Sequence, residues 1–135
     1  MAQDNFDDVQ QSLGRCLRRT GFVARFYEYF MDSHPSFRGM FAHTDMGRQR
    51  KALRRGISVA LAHAGGSGIV KRSMDEMAQV HSRNGHAPVK PELYDFWVDA
   101  LVRAVTETDP RITPELEERW RTAMNTAVDH FKKHY

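Results

Sequence analysis

The chain has 135 residues, 41% hydrophobic and 27% charged, with a formal net charge of +3. That length suits one compact domain with a modest core, and the composition is that of a globular rather than a disordered chain. No apolar run reaches the roughly 20 residues a membrane helix needs, and so small a positive excess does not by itself imply nucleic acid.

The opening stretch through Asp8 is acidic and has no apolar core, so no secretory signal is expected. A first helix is predicted from about Asp4 to Arg19, with Phe6, Val9, Leu13, Cys16 and Leu17 on one face. Cys16 is the single cysteine and has no internal disulfide partner; it reads as a small core hydrophobe in a reducing, cytoplasmic setting. Gly21 separates this helix from an aromatic-rich one carrying Phe22, Phe26, Tyr27, Tyr29 and Phe30. Pro35 stops that helix and suits the first turn of a short one ending near Met40 and Phe41. Thr44 or Asp45 can cap a longer helix from about Met46 to His63, with Gln49, Leu53, Ile57, Ala60 and Leu61 inward.

Glycines at 65, 66 and 68 close that helix. Ser73 with Glu76 makes a capping-box signature for the next, which runs to Asn84 and Gly85. Pro91 is expected at the first position of a helix with Tyr94, Trp97, Val98, Leu101 and Val105. Thr113, Pro114 and Glu115 open the last, with Leu116, Trp120, Met124, Val128 and Phe131 along its stripe. No sustained two-residue alternation occurs, so the fold class is all-α, with six substantial helices and one short one.

The residue with the most chemistry is His81. It shares a helix face with Met74, Met77 and Ala78, which aims its ring at the core. A buried imidazole needs a partner for each nitrogen, and a carbonyl on one with a metal on the other would satisfy both. The plainer alternative is a helix-end histidine facing water beside Arg83 and Asn84. Arg48, Arg50, Lys51, Arg54 and Arg55 form a basic stretch, read as a solvated face or as a surface for anionic groups or an acidic partner. His130 and His134 lie four apart near the C-terminus and read as exposed.

Four blocks, in order and spacing, carry a resemblance. They are the Phe26–Phe30 aromatic run leading through Pro35 to Phe41, the Gln49–Leu53 segment, Val80 with His81, and the Val89–Tyr94 segment. Trp120 early in the last helix fits too. Together they resemble the globin family, in particular bacterial single-domain haemoglobins and the globin domain of flavohaemoglobins.

The resemblance implies a single globin domain over residues 1–135, with helices packed around one haem b. It makes His81 the proximal ligand to iron and stacks Phe41 on the porphyrin. Tyr27 and Gln49 become donors to a bound gas, and Leu53 keeps water out. Met77 and Val89 line the proximal side, and Tyr94 joins a hydrogen-bonding network around His81. The implied function is reversible binding of O₂, NO and CO, extending to NO dioxygenation with an external reductase. The alternative is a gas sensor signalling to a partner protein. A monomer or homodimer without nucleic-acid or membrane partners is expected. Two departures stand out: the stretch from His81 to Val89 is longer than in close relatives, which makes His86 a rival ligand. The last residues, Phe131 to Tyr135, also lack the glutamate of the flavohaemoglobin proximal network.

Overall fold

Residues 4–135 are described by a computed structural model, and among them there is no strand. The helices are α1 (Asp7–Leu17), α2 (Phe22–Ser33), α3 (Pro35–Met40), α4 (Met46–Ala64), α5 (Lys71–His81), α6 (Tyr94–Thr108) and α7 (Pro114–Lys133). Short 3₁₀ turns, Gly68–Val70 and Pro91–Leu93, lead into α5 and α6.

The amphipathic stripes meet as helix on helix. The most extensive contacts join α2 to α6 and α4 to α7. Trp120, Phe26, Phe37, Ile57, Leu61, Met74, Leu101 and Met124 are almost wholly buried. Each such side chain contributes about 1.5–3 kcal/mol on leaving water. Cys16 lies fully inside, as its helical position predicted. No helix among the described residues is long and apolar enough to cross a membrane.

Side-chain caps fix the starts of α4 and α7. Asp45, not Thr44, caps α4, its carboxylate accepting from the Gly47 and Arg48 N–H groups at 3.0 and 3.3 Å. The Thr113 hydroxyl accepts from Leu116 N–H at 3.1 Å at the head of α7. Four boundaries differ from expectation. The first helix starts at Asp7, because Asp4 and Asn5 turn the chain by accepting from the Phe6 and Asp7 N–H groups. Ser73 does not cap α5, which begins at Lys71 straight out of a 3₁₀ turn, and Glu76 pairs with Arg72 instead. The helix also stops at His81, well before Gly85, and Pro91 opens a 3₁₀ turn rather than α6 itself.

A buried polar knot ties α1 to the α6–α7 corner. The Asp109 side chain is fully enclosed. It accepts from Ser12 Oγ at 2.6 Å, from Arg15 at 2.6 and 2.9 Å, and from the Arg111 N–H at 2.9 Å. Trp120 donates its indole N–H back to Ser12 Oγ at 3.0 Å. Every buried group is therefore partnered, which is what makes a buried charge tolerable.

Candidate functional site

The aromatic run of α2 and the start of α4 build one wall. Phe41 ends α3 and is only partly buried. Its ring lies edge-on to Tyr27 at 6.5 Å and to Phe30 at 6.0 Å. Tyr27 is buried, and its hydroxyl donates to the Gln49 main-chain carbonyl at 3.2 Å. Burial pushes the Tyr27 phenol above its usual value, against the lowering effect of that bond and of the Arg50 charge, so it stays a neutral donor. Its proton is thus committed to α4. The Gln49 side chain is half-buried, and among the described residues its amide has no hydrogen-bond partner. Leu53, one turn on, is buried.

The other candidate residues lie at the end of α5 and beyond it. Beyond His81 the chain doubles back, so that the Ala87 N–H reaches the Val80 carbonyl at 2.9 Å and the Val89 N–H reaches that of His81 at 3.0 Å. These bonds satisfy carbonyls that a helix end otherwise leaves open. Gly85 permits the turn, since a Cβ there would lie 2.2 Å from the Gln79 oxygen. The same turn delivers the Ala87 carbonyl to His81 Nδ1 at 3.0 Å. An Nδ1–H donated to that carbonyl leaves Nε2 as the lone-pair nitrogen, the tautomer suited to binding a metal. His86 sits at the exposed crest of the turn.

Tyr94 lies one ring away from His81. It is buried, its phenol pushed up to about 12 by burial, but its hydroxyl makes no bond to His81. It stacks on Phe131 at 5.8 Å, and Phe131 in turn meets the His81 ring edge-on at 6.1 Å. Phe131, read in the sequence only as part of a helix stripe, is therefore the aromatic neighbour of the imidazole. Met77 on α5 reaches α4, its Cε lying 3.5 Å from where a Cβ on Gly56 would be. Phe41, Met46, Met77, Val89, Leu93, Phe96 and Trp97 pack on the core yet remain only partly buried. They come from the α3–α4 corner, α5, the following segment and α6.

Two surface cavities, of about 750 and 530 Å³, open elsewhere, and neither is lined by His81, Phe41 or Leu53. Among the described residues no group of three or more His, Cys, Asp or Glu is placed to hold a metal ion.

A crystal structure of a Pseudomonas aeruginosa protein, described as structurally highly homologous to a human haemoglobin, is similar to this chain. It superposes with a TM-score of 0.91 at 38% identity, over 98% of each chain. The chain belongs to the globin family. No family model and no curated protein matches it.

The globin fold implies a haem, and the residues present fit one. A single imidazole has one nitrogen tied to a carbonyl and the other open. The partly buried apolar side chains of the α3–α4 corner, α5 and α6 suit the flat faces of a macrocycle, which needs oily walls and few polar groups. The signal for the His81–Ala87 bond was out of reach in the sequence, because any residue supplies a carbonyl. Gly85, close beyond the helix end, was its one visible trace.

Proposed function

We propose that this globin carries haem b on His81 and binds O₂, NO and CO reversibly. The observation that carries the reading is the His81 Nδ1 contact with the Ala87 carbonyl at 3.0 Å, which orients the ring and fixes which nitrogen is free.

The haem supplies the iron to which a diatomic gas attaches. His81 holds the group through Nε2, and a neutral donor bonded to a carbonyl is a moderate rather than a strong electron source. Phe131, backed by the Tyr94 ring stacked on it, meets the imidazole edge-on and limits its rotation. Phe41 would stack on the macrocycle, and Met77 and Val89 would give it apolar contact, all three being partly buried. On the other side Gln49 presents the free amide donor. Tyr27 braces the backbone of Gln49 through its carbonyl, and Leu53 excludes water. A donor shielded from water stabilises partial negative charge on a ligand more than it does in water.

The reading extends to NO detoxification in the cytoplasm, with electrons from an external reductase. The resemblance to single-domain haemoglobins and flavohaemoglobins supports this. Its test is to titrate the purified protein with hemin and follow the absorption spectrum oxidised, reduced and under CO. One equivalent should produce a Soret band that shifts with CO. A spectrum indistinguishable from free hemin would overturn the reading. Sustained NO consumption with a generic reductase would support the enzymatic extension, and consumption limited to a single turnover would refute it.

A further inference from the structure

Cations and carboxylates are matched unevenly over this surface. Arg15 pairs with Asp109, Arg72 with Glu76, Arg119 with Asp4 and Asp8, and Arg121 with Asp99. Arg18, Arg19, Arg50, Lys51 and Arg54 form no ion pair among the described residues. These five line one cavity of about 530 Å³, and no carboxylate lines it. It opens between the turn that follows α1, the start of α2 and the outer face of α4.

Helical geometry makes this a surface of its own. Arg50 and Arg54 are one turn apart on α4, with Lys51 beside them, while Leu53 and Ile57 on the same helix face the core. Like charges one turn apart repel and weaken a helix, so the arrangement is stabilised by an anion seated among them. The head of α2 adds to the field. Gly21 caps it in a left-handed conformation, φ 96°, with no side-chain acceptor, and no acidic residue occupies its first turn. Phe22, Val23 and Ala24, whose N–H groups have no intrahelical partner, line the same cavity.

We propose that this cavity binds a small oligophosphate, free or carried by a nucleotide, at a site separate from the pocket around His81. Guanidinium groups match phosphate oxygens as two-pronged donors, which is why four of the five cations being arginine favours phosphate. The charge and the volume exceed what a single orthophosphate fills, so two or three linked phosphates fit better. The cations are all exposed, so binding weakens as salt rises.

The test is isothermal titration of the purified protein with sodium triphosphate, repeated with orthophosphate and with vesicles of phosphatidylcholine and phosphatidylglycerol. Saturable one-to-one binding of triphosphate, tighter than orthophosphate and weakened by salt, is expected. The double variant Arg50→Gln with Arg54→Gln should bind about tenfold more weakly or worse, from two lost charge-assisted contacts. Lys133→Gln, at an exposed cation on the last turn of α7, should match the parent protein. Far-ultraviolet circular dichroism of the double variant checks its fold, and Arg50→Lys with Arg54→Lys should recover part of the affinity. No saturable triphosphate binding, equal binding by the double variant, or binding to vesicles without binding to triphosphate would each overturn the proposal.

Discussion

Replacing Gly85 with alanine tests whether the turn after α5 holds His81 in place. The new Cβ would lie 2.2 Å from the Gln79 oxygen and 2.3 Å from the Val80 oxygen. Both are main-chain atoms at the end of α5, so no side-chain rotation relieves the clash. The turn must lift away. Three contacts go with it: Ala87 N–H to Val80, Val89 N–H to His81, and the Ala87 carbonyl to His81 Nδ1. At about 1 kcal/mol for each, the loss is about 3 kcal/mol. For a chain of this length that lowers Tm by about 10 °C. Thermal unfolding followed by circular dichroism measures it. Gly39→Ala is the control, since nothing lies within 4 Å of that Cβ and the residue sits inside α3. It should be neutral or stabilise by up to about 1 kcal/mol. A Gly85→Ala protein melting within about 2 °C of the parent would refute the reasoning.

Burial would raise the Asp109 carboxyl, but Arg15, Ser12 and the Arg111 N–H outweigh it and hold it down at about 2. A carboxylate lowered on folding adds stability above its unfolded value, near 3.8, and loses it as pH falls toward about 2. Asp109→Asn should therefore trail the parent by about 2 kcal/mol more at neutral pH than near pH 2, and denaturant titrations showing a constant gap would contradict this. Cys16 is fully buried and its thiol is pushed up to about 12, chiefly by burial, so a thiol reagent should label it only as the protein unfolds. Rapid stoichiometric labelling of the native protein would count against the packing of α1. Gln49→Leu should speed O₂ release by about tenfold, and Tyr27→Phe by less, because the Tyr27 proton is already given to α4. Stopped-flow displacement with the reverse order would show that Tyr27 turns toward the ligand.

The helices were legible because their apolar stripes repeat at helical spacing and strong caps such as Asp45 and Thr113 mark their starts. The α5 boundaries were not. A serine and a glutamate at capping-box spacing are also ordinary surface residues, and here Arg72 takes the glutamate. The end at His81 depends on a chain reversal through Gly85, a close approach rather than a dihedral preference. That Gln49 shares a face with Leu53, and Met77 with His81, followed from periodicity, whereas their place at a pocket was implied by the resemblance. Partners that meet only in the fold did not: the Ala87 carbonyl, the Phe131 ring, and the Asp109 knot with Ser12 and Trp120. The Tyr27 hydroxyl was foreseen near the pocket, but its acceptor is a main-chain atom that no side-chain pattern encodes.

The most direct measurement compares the ferrous and CO absorption spectra of hemin-loaded His81→Gly and His86→Gly proteins with those of the parent, before and after adding imidazole. The account predicts that His86→Gly keeps the parent spectrum, whereas His81→Gly loses it and regains it when free imidazole replaces the missing ring. A parent-like spectrum in His81→Gly without imidazole, or its loss only in His86→Gly, would contradict the account.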